Sequence, residues 1–327
     1  MKIVILHDYV AEDAPEDDRD IISQCEYISE ALSDMGNEPI PVCFSLDFGK
    51  VAGELHRINP DLVFNLVESV NGQGNLIHEA AKLLDEIRMP YTGSKTESLI
   101  STSNKLIAKK RLEESSIFTP KWFSPEHDRE DLLNGDGPYI IKSVWEHASK
   151  GLNQASIFHP KSRDELLNYI RLRSFQTGWD CFAEAYIDGR EFNISLLDSG
   201  NGPEVLPPAE ILFTDYPEER YKIVDYTAKW EKGSFEYQHT CRCFDFADMD
   251  GDLLRQLNII SVSCWNLFEL RGYARVDFRI DMHGFPWVLE VNANPCLAPD
   301  SGFIAAAQRA GLSSGNILKR IINTAFI

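Results

Sequence analysis

Short apolar runs alternate with apolar residues at helical spacing along the first part of the chain. The first cycle has a run at Lys2–Leu6 and a helical pattern from Ile21 to Leu32. The second cycle has a run at Asp61–Val67 and a helical pattern from Leu76 to Ile87. This order predicts a doubly wound α/β unit with a mostly parallel sheet over residues 1–95. No GxGxxG motif follows the first run, which argues against dinucleotide binding.

The next part of the chain, residues 96–180, has the pattern of a smaller α+β unit. Asn104 is a suitable N-cap for a helix over Lys105–Glu114. A predicted strand over Pro138–Ser143 leads into a small, polar segment at Glu146–Gly151. That composition predicts a flexible turn between two strands.

Residues 181–327 form the third predicted unit, with strands over Cys181–Tyr186 and Glu191–Asp198 and a helix over Leu253–Leu270. Its most informative segment is Tyr273–Pro295, in which apolar and polar residues alternate on both sides of a Gly-containing turn. Two such strands around a short loop predict an antiparallel hairpin.

Four polar side chains are expected to meet on one face of this hairpin. A turn centred on the Gly-containing loop sets Asp277 opposite Glu290 and Arg275 opposite Asn292. Opposed carboxylates repel each other unless a cation lies between them. Two carboxylates and an amide oxygen are hard ligands, suited to magnesium that phosphates also hold. A register slip of two residues, or a charged face that only keeps the strand soluble, is the alternative.

Charge and composition narrow the class of protein. The chain has 32 Lys and Arg against 51 Asp and Glu, a formal net charge of −19, which argues against a general nucleic-acid binder. No apolar run approaches the ~20 residues of a membrane span, and the N-terminus does not resemble a secretory signal. Seven cysteines without a CxxC motif favour reduced thiols and a cytoplasmic location.

Acidic residues are crowded between Asp8 and Asp20, where Arg19 is the single basic residue. Such a run is explained by a solvated loop, or by a pocket wall that receives the ammonium group of a substrate. The sequence leaves both interpretations open.

The hairpin segment reads GYARVDFRIDMHGFPWVLEVNANP and resembles the G-x-x-RVDF…LEVN-x-x-P signature of the ATP-grasp ligases, specifically the D-alanine–D-alanine ligase branch. The similarity spans nearly the whole chain in the family's order. It implies an ATP-grasp fold after the N-terminal α/β domain of residues 1–95. Residues 96–180 would then be the small lid subdomain, and 181–327 the C-terminal subdomain with the metal and catalytic site.

This resemblance assigns roles on the hairpin and on the segment before it. It implies that Asp277, Glu290 and Asn292 hold two magnesium ions, with manganese as an alternative. It also implies that Arg275 stabilises the transferred phosphoryl group and the tetrahedral intermediate. The segment CFAEAYIDGREFNISLL resembles the family's hinge. Its contacts would go to adenine and ribose, from Glu184, from the backbone of Ile187 and from Glu191.

Three further segments resemble the family's phosphate-binding motifs. PYIIKSVWEHASKGL supplies Lys142 and a phosphate-covering loop in which Ser149 is counted with the catalytic residues. SNKLIAKKRL places Lys105 near the phosphates, and VDYTAKWEKGS places Lys229 at the γ-phosphate. ATP is therefore the implied nucleotide.

The amino-acid pocket departs from the family pattern. Ala148 and Trp230 stand where the family has a serine and a tyrosine, and Cys296 replaces a glycine. The remaining substrate candidates, where a family glutamate, histidine and serine would lie, are Asp18, Glu68 and Ser301. Nucleotide and metal residues are thus retained while the substrate residues are changed.

Together these features predict a ligase that activates a carboxylic acid as an acyl phosphate and joins it to an amine, both small molecules. Authentic D-alanine–D-alanine ligation is one alternative. A catalytically decayed ATP-binding regulatory or partner protein is another, although the retained lysines and carboxylates argue against it. The resemblance also implies a homodimer formed through the N-terminal unit.

Overall fold

The computed structural model describes residues 1–11, 14, 16–126 and 137–326, without the side chains of residues 16–18. The first unit contains a parallel sheet in the order β2-β1-β3. Its elements are β1 (Lys2–His7), α1 (Glu16–Asp34), β2 (Glu38–Cys43), α2 (Phe48–Ile58), β3 (Leu62–Asn65) and α3 (His78–Glu86).

Helices cover both faces of this parallel sheet. Ile3 and Ile5 of β1 pack in one apolar cluster with α1, whereas Val4 and Leu6 pack in another with α2 and α3. The alternation follows because successive side chains of a strand point to opposite faces. The predicted doubly wound unit is confirmed. Strand β2 was not predicted; it carries prolines at positions 39 and 41, which suit its place at the sheet edge.

The second unit is built on an antiparallel sheet in the order β4-β7-β5-β6. Its elements are α4 (Thr96–Ser103), α5 (Lys105–Glu114), β4 (Trp122–Phe123), β5 (Tyr139–Ser143), β6 (Ile157–Phe158), α6 (Arg163–Thr177) and β7 (Cys181–Ala185). The side chain of Asn104 accepts hydrogen bonds from the amides of Leu106 and Ile107, both at 3.0 Å, and caps α5. Strand β7 begins at the predicted 180/181 boundary yet belongs to this sheet, and the three-part division stays a prediction.

The third unit contains a largely antiparallel sheet in the order β11-β10-β8-β12-β13, with β9 paired to β8. Its strands are β8 (Arg190–Asp198), β9 (Pro203–Val205), β10 (Ala209–Phe213), β11 (Thr240–Cys243), β12 (Tyr273–Ile280) and β13 (Pro286–Asn292). Its helices are α7 (Tyr226–Trp230), α8 (Phe235–His239), α9 (Gly251–Leu267), α10 (Gly302–Arg309) and α11 (Ser314–Asn323). No helix in the described ranges is long and apolar enough to cross a membrane.

The apolar face of β12 determines where its polar face points. Ala274, Val276 and Phe278 are fully buried in the cluster that contains α9. Arg275 and Asp277, which alternate with them, therefore point to the other side of the sheet. That side faces the sheet of the second unit across a cavity.

The β12–β13 hairpin contains a bulge that the sequence pattern did not reveal. Asp277 pairs with Glu290 as predicted, but Phe278 pairs with Val288, so Leu289 is the extra residue on β13. The expected alternation on β13 was wrong in its first half. Strict alternation would place Val288 on the polar face with Glu290, but it is fully buried, because the bulge shifts the phase of the strand.

Candidate active site

A cavity of about 570 Å³ lies between the sheets of the second and third units. Nearly all of the predicted site residues line it: Glu68, Lys105, Lys142, Ser149, Glu184, Ile187, Glu191, Lys229, Arg275, Asp277, Glu290, Asn292 and Ser301. The side chain of Asp18 lies outside the described residues. The structure thus brings together candidates that are spread over more than two hundred positions of the sequence.

One end of the cavity, called here the lysine end, is formed by Lys105, Lys142, Glu184 and Lys229. Lys142 donates to Glu184 at 2.6 Å, and the buried Lys109 forms an ion pair with the other carboxylate oxygen. Burial would raise the pKa of Glu184, but these two ammonium groups hold that pKa below its usual value. Glu184 is therefore a carboxylate fixed between two cations.

The other two lysines at this end are cations that have lost much of their water. Burial lowers the pKa of Lys105 and of Lys229, and Arg275 adds to the effect on Lys229. Lys105 donates to the backbone carbonyl of Glu146 at 2.7 Å. Such groups bind an anion favourably because its charge replaces the lost solvation.

The segment Glu146–Gly151 covers this end of the cavity. Ala148 and Ser149 both have positive φ angles, 57° and 60°, so the chain turns sharply there. Ser149 donates to the carbonyl of Val224 at 2.8 Å, and the indole of Trp230 donates to the carbonyl of Ala148 at 3.1 Å. The predicted phosphate-covering loop is thereby joined to the segment that carries Lys229.

The adenine and ribose candidates lie on the neighbouring strands and their connection. Ile187, between β7 and β8, lines the cavity. Glu191 on β8 is ion-paired with Arg279 at 2.8 Å. Burial raises the pKa of Glu191 despite this pairing.

The polar face of the hairpin places the predicted metal ligands side by side. Asp277 lies opposite Glu290, and Arg275 lies opposite Asn292. Arg275 donates to both oxygens of Asp277, at 2.7 and 2.8 Å. The amide of Asn193 donates to one of them as well, at 2.8 Å. The guanidinium of Arg275 is thus fixed by the Asp277 carboxylate.

Glu290 is also surrounded by positive charge. Nδ1 of His147 lies 3.1 Å from one of its oxygens. Burial would raise the pKa of Glu290, but Lys105, His147 and Arg275 hold that pKa well below its usual range. Glu290 is therefore an ionised carboxylate that a cation can approach.

A different arrangement is found where Asp20, Glu68 and Cys296 line the cavity, a region called here the acidic end. The thiol of Cys296 donates to Asp20 at 2.9 Å. Burial raises the pKa of Asp20, and it raises the pKa of the Cys296 thiol well above its usual range. Burial likewise raises the pKa of Glu68 to about 8, helped by Asp8 and Asp20 and opposed by Gln24.

Sequence reasoning missed several residues that line the cavity. The charged or titratable ones include Asp20, His147, Arg242 and Asp300, and Leu289 is an apolar one. The crowding of acids before Asp20 was noted in the sequence, but nothing in it singled out that residue. Leu289 faces the cavity only because of the bulge, which has no sequence signal.

Three comparisons with known proteins bear on this arrangement. The family described as "D-ala D-ala ligase C-terminus" matches residues 130–323. The chain belongs to the D-alanine–D-alanine ligase family. An uncharacterized protein of Sinorhizobium fredii is 31% identical over 265 residues, which cover 81% of this chain and 74% of that protein. A D-alanine–D-alanine ligase of Aquifex aeolicus is 28% identical, over 90% of this chain and 92% of that one.

Solved structures of the family share the fold. The D-alanine–D-alanine ligase of Bacillus anthracis complexed with ATP has a TM-score of 0.73 at 22% identity, covering 100% of this chain and 97% of that one. VanG, a D-Ala:D-Ser ligase from Enterococcus faecalis, has a TM-score of 0.70 at 17% identity, covering 99% of each chain. The predicted ATP-grasp fold and the predicted class, an ATP-grasp carbon–nitrogen ligase, are confirmed by these relationships.

Proposed function

We propose that this member of the D-alanine–D-alanine ligase family binds ATP and magnesium in the cavity, forms an acyl phosphate from a carboxylic acid, and joins the acid to an amine other than a second D-alanine. The observation that carries the proposal is the convergence of Lys105, Lys142 and Lys229 on the paired carboxylates Asp277 and Glu290 at one end of the cavity. A carboxylate can approach the γ-phosphate of ATP only where cations neutralise both anions.

The donor atoms at the hairpin fit magnesium. Asp277, Glu290 and the amide of Asn292 offer hard oxygen ligands in the lining of the cavity. Among the described residues, no group of three or more His, Cys, Asp or Glu side chains forms a metal site. An ion here therefore depends on Asn292 and on phosphate oxygens, which is how magnesium is usually held with nucleotides. When bound, it would supply positive charge at the transferred phosphoryl group.

The chain's own residues would perform the remaining tasks. Glu184, the backbone of Ile187 and Glu191 would bind the nucleoside, and Lys105, Lys142 and Lys229 would hold the phosphates. Arg275, fixed by Asp277, would stabilise the oxyanion that forms when the amine attacks. The covering segment, Ser149 included, would exclude water, which otherwise hydrolyses an acyl phosphate.

The substrate side of the cavity supports an acid and an amine that differ from two D-alanines. The family's serine and tyrosine hydroxyls are replaced by Ala148 and Trp230, whose backbone carbonyl and indole bond to each other. Glu68 and Cys296 add an acid and a thiol where the family has a histidine and a glycine. Asp18, Glu68 and Ser301 remain the proposed substrate contacts.

We also propose a cytoplasmic location and a homodimer formed through the N-terminal unit. The seven cysteines are free, which suits a reducing compartment. Sedimentation equilibrium tests the dimer.

A mass-spectrometric screen of acid–amine pairs with ATP tests the function. The expected result is an amide product with equimolar ADP and phosphate, formed only when acid, amine and magnesium are all present. D-alanine supplied alone distinguishes authentic D-alanine–D-alanine ligation. Tight ATP binding without phosphoryl transfer to any acid would contradict the proposal and favour a decayed, regulatory protein.

A further inference from the structure

The attacking amine must lose a proton before it can react, and the lysine end of the cavity has no group placed to accept that proton. An amine with an ordinary pKa is an ammonium ion at neutral pH and has no lone pair with which to attack a carbonyl. A group in the cavity must therefore take a proton from it. The lysines and Arg275 are cations placed for phosphate and oxyanion, and His147 lies against Glu290 at 3.1 Å. The candidates that remain are carboxylates and thiols.

Most carboxylates that line the cavity are already committed to cations. Glu184 is held by two lysines, and Asp277 by Arg275. Glu290 lies against His147, and Glu191 against Arg279. A carboxylate neutralised in this way is a weak base, because its partner stabilises the ionised form.

The acidic end offers a better acceptor. Asp20 accepts a hydrogen bond from the Cys296 thiol at 2.9 Å, and burial keeps that thiol protonated. The remaining carboxylate of the acidic end is Glu68. One oxygen of Glu68 accepts from the amide of Gln24 at 2.8 Å. Within the described ranges, no hydrogen bond reaches its second oxygen, and the side chain lines the cavity.

Glu68 is also held firmly in place. Its backbone amide donates to Asp8 at 3.0 Å, and the next amide, that of Ser69, donates to the same carboxylate at 2.7 Å. Gln24, which is 2% exposed, binds Glu68 through its NH₂ group and accepts from the amide of Leu297 at 2.8 Å. Glu68 is therefore tied to the loop beside Cys296 and Arg275, where acyl transfer would occur.

We propose that Glu68 is the general base of acyl transfer, an assignment that rests on the proposed ligase function. The free oxygen of Glu68 takes one proton from the substrate ammonium, and the neutral amine attacks the acyl-phosphate carbonyl carbon. The new C–N bond gives a tetrahedral oxyanion, and its collapse breaks the C–O bond to phosphate. The second proton leaves the nitrogen with the departing phosphate, which becomes hydrogen phosphate.

The surroundings of Glu68 set its proton affinity. The charged or titratable groups that face it from the neighbouring elements are Asp8, Asp20, Tyr273, Arg275 and Cys296. Burial and the two aspartates raise the pKa of Glu68 to about 8, with Arg275 opposing them. A base becomes active as it loses its proton, so kcat/KM for the amine should gain a rising limb near pH 8.

Hydroxylamine separates this role from all earlier steps, because it is an uncharged nucleophile at neutral pH and needs no base. The acids tested are the protein amino acids with D-alanine and D-serine, each with ATP, magnesium and either an amine or hydroxylamine. Glu68→Gln should lower amide formation roughly 10²-fold or more and remove the limb near pH 8. Hydroxamate formation should fall far less in the same variant, because hydroxylamine bypasses the base and only the substrate contact of Glu68 is lost. Glu86→Gln, on the exposed end of α3, is the matched control.

A second measurement does not depend on turnover. In ¹³C spectra of glutamate-labelled protein, the carboxyl signal that disappears in Glu68→Gln should titrate near pH 8. Equal loss of amide and hydroxamate formation in Glu68→Gln, or titration of that signal below pH 6, overturns the general-base assignment alone. A wild-type protein that forms no hydroxamate from any acid overturns the ligase function, and with it the need for a base.

Discussion

The lysine end and the acidic end of the cavity treat buried charge in opposite ways. At the lysine end Glu184 lies between Lys142 and Lys109, and the pKa of the carboxyl is lowered. At the acidic end burial raises the pKa of Asp20 and of Glu68, and their hydrogen-bond donors are a thiol and an amide. A carboxylate that is paired with cations stays in one protonation state, whereas a buried carboxylate without such a partner can exchange a proton with a ligand. The first arrangement suits the binding of a nucleotide, and the second suits the handling of a substrate.

The largest effect is expected from removal of a charge on the hairpin. Asp277→Asn keeps the shape of the side chain but leaves Arg275 without its ionic partner and removes a proposed metal ligand. We expect ADP formation to fall roughly 10²–10³-fold, because charge at the transferred phosphoryl group is no longer balanced. A coupled ADP assay measures the change. The control is Asp252→Asn, whose side chain is 93% exposed. Equal activity in both variants would contradict the assignment.

The next test concerns Lys109, one of the two lysines that pair with Glu184. Lys109 is buried, donates to Thr119 at 2.8 Å and is ion-paired with Glu184. Lys109→Met leaves a buried carboxylate with one cation, so we expect a loss of about 3 kcal/mol in the free energy of unfolding. Lys110→Met, at a neighbouring site with a 62% exposed side chain, should change it by less than about 0.5 kcal/mol. Urea denaturation compares the two, and equal losses would show that the charge pair is not the cause.

A smaller effect is expected where the covering segment meets Trp230. Ala148→Ser combined with Trp230→Tyr restores two hydroxyls and removes the indole bond to the carbonyl of residue 148. We expect the rate of hydroxamate formation from D-alanine to rise about 10-fold relative to the preferred acid, the usual size of a hydrogen-bond contribution to selectivity. The single variants serve as controls. An unchanged preference in the double variant would place the determinant of the acid elsewhere, at Glu68 or Cys296.

The two ends also differ in how far the sequence predicted them. The lysines of the lysine end lie in segments that resemble family motifs, and the hairpin carboxylates have period-two spacing, so these residues were assigned from the sequence. The pairing of Glu184 with Lys142 and Lys109 was not predicted. The acidic end depends on contacts between distant segments. Gln24 joins Glu68 to Leu297 across more than two hundred residues, and no local pattern marks it.

The hairpin shows what local sequence patterns do not predict, namely the bulge in β13. The predicted pairing of Asp277 with Glu290 is confirmed. The pairs nearer the turn, such as Phe278 with Val288, lie one residue out of the predicted register, and the extra residue Leu289 restores it. A bulge is decided by packing, here by the full burial of Phe278 and Val288. The sequence therefore predicted the fold and the polar face of the hairpin, while the exact phase of β13 and the residues it exposes required the tertiary structure.

The smallest expected effect is a change in thermal stability, and its sign should differ between the two ends of the cavity. The pKa of Glu68 rises from its usual 4.5 to about 8, so between these values the folded protein holds a proton that the unfolded chain has lost. Its stability then falls as the pH rises through that window, and Glu68→Gln escapes the loss. The pKa of Glu184 is lowered, so its contribution is present above pH 4.5 and is lost in acid.

At pH 9, therefore, Glu68→Gln should unfold at a higher temperature than the wild type, and Glu184→Gln at a lower one. A change of 1 kcal/mol corresponds to about 2–4 °C in a domain of ordinary size. Near pH 5 the gain from Glu68→Gln should disappear, since the wild-type carboxyl is then protonated as well. Calorimetry at both pH values measures this. Destabilisation by both variants at pH 9 would mean that Glu68 is compensated as fully as Glu184, and that the two ends of the cavity do not differ.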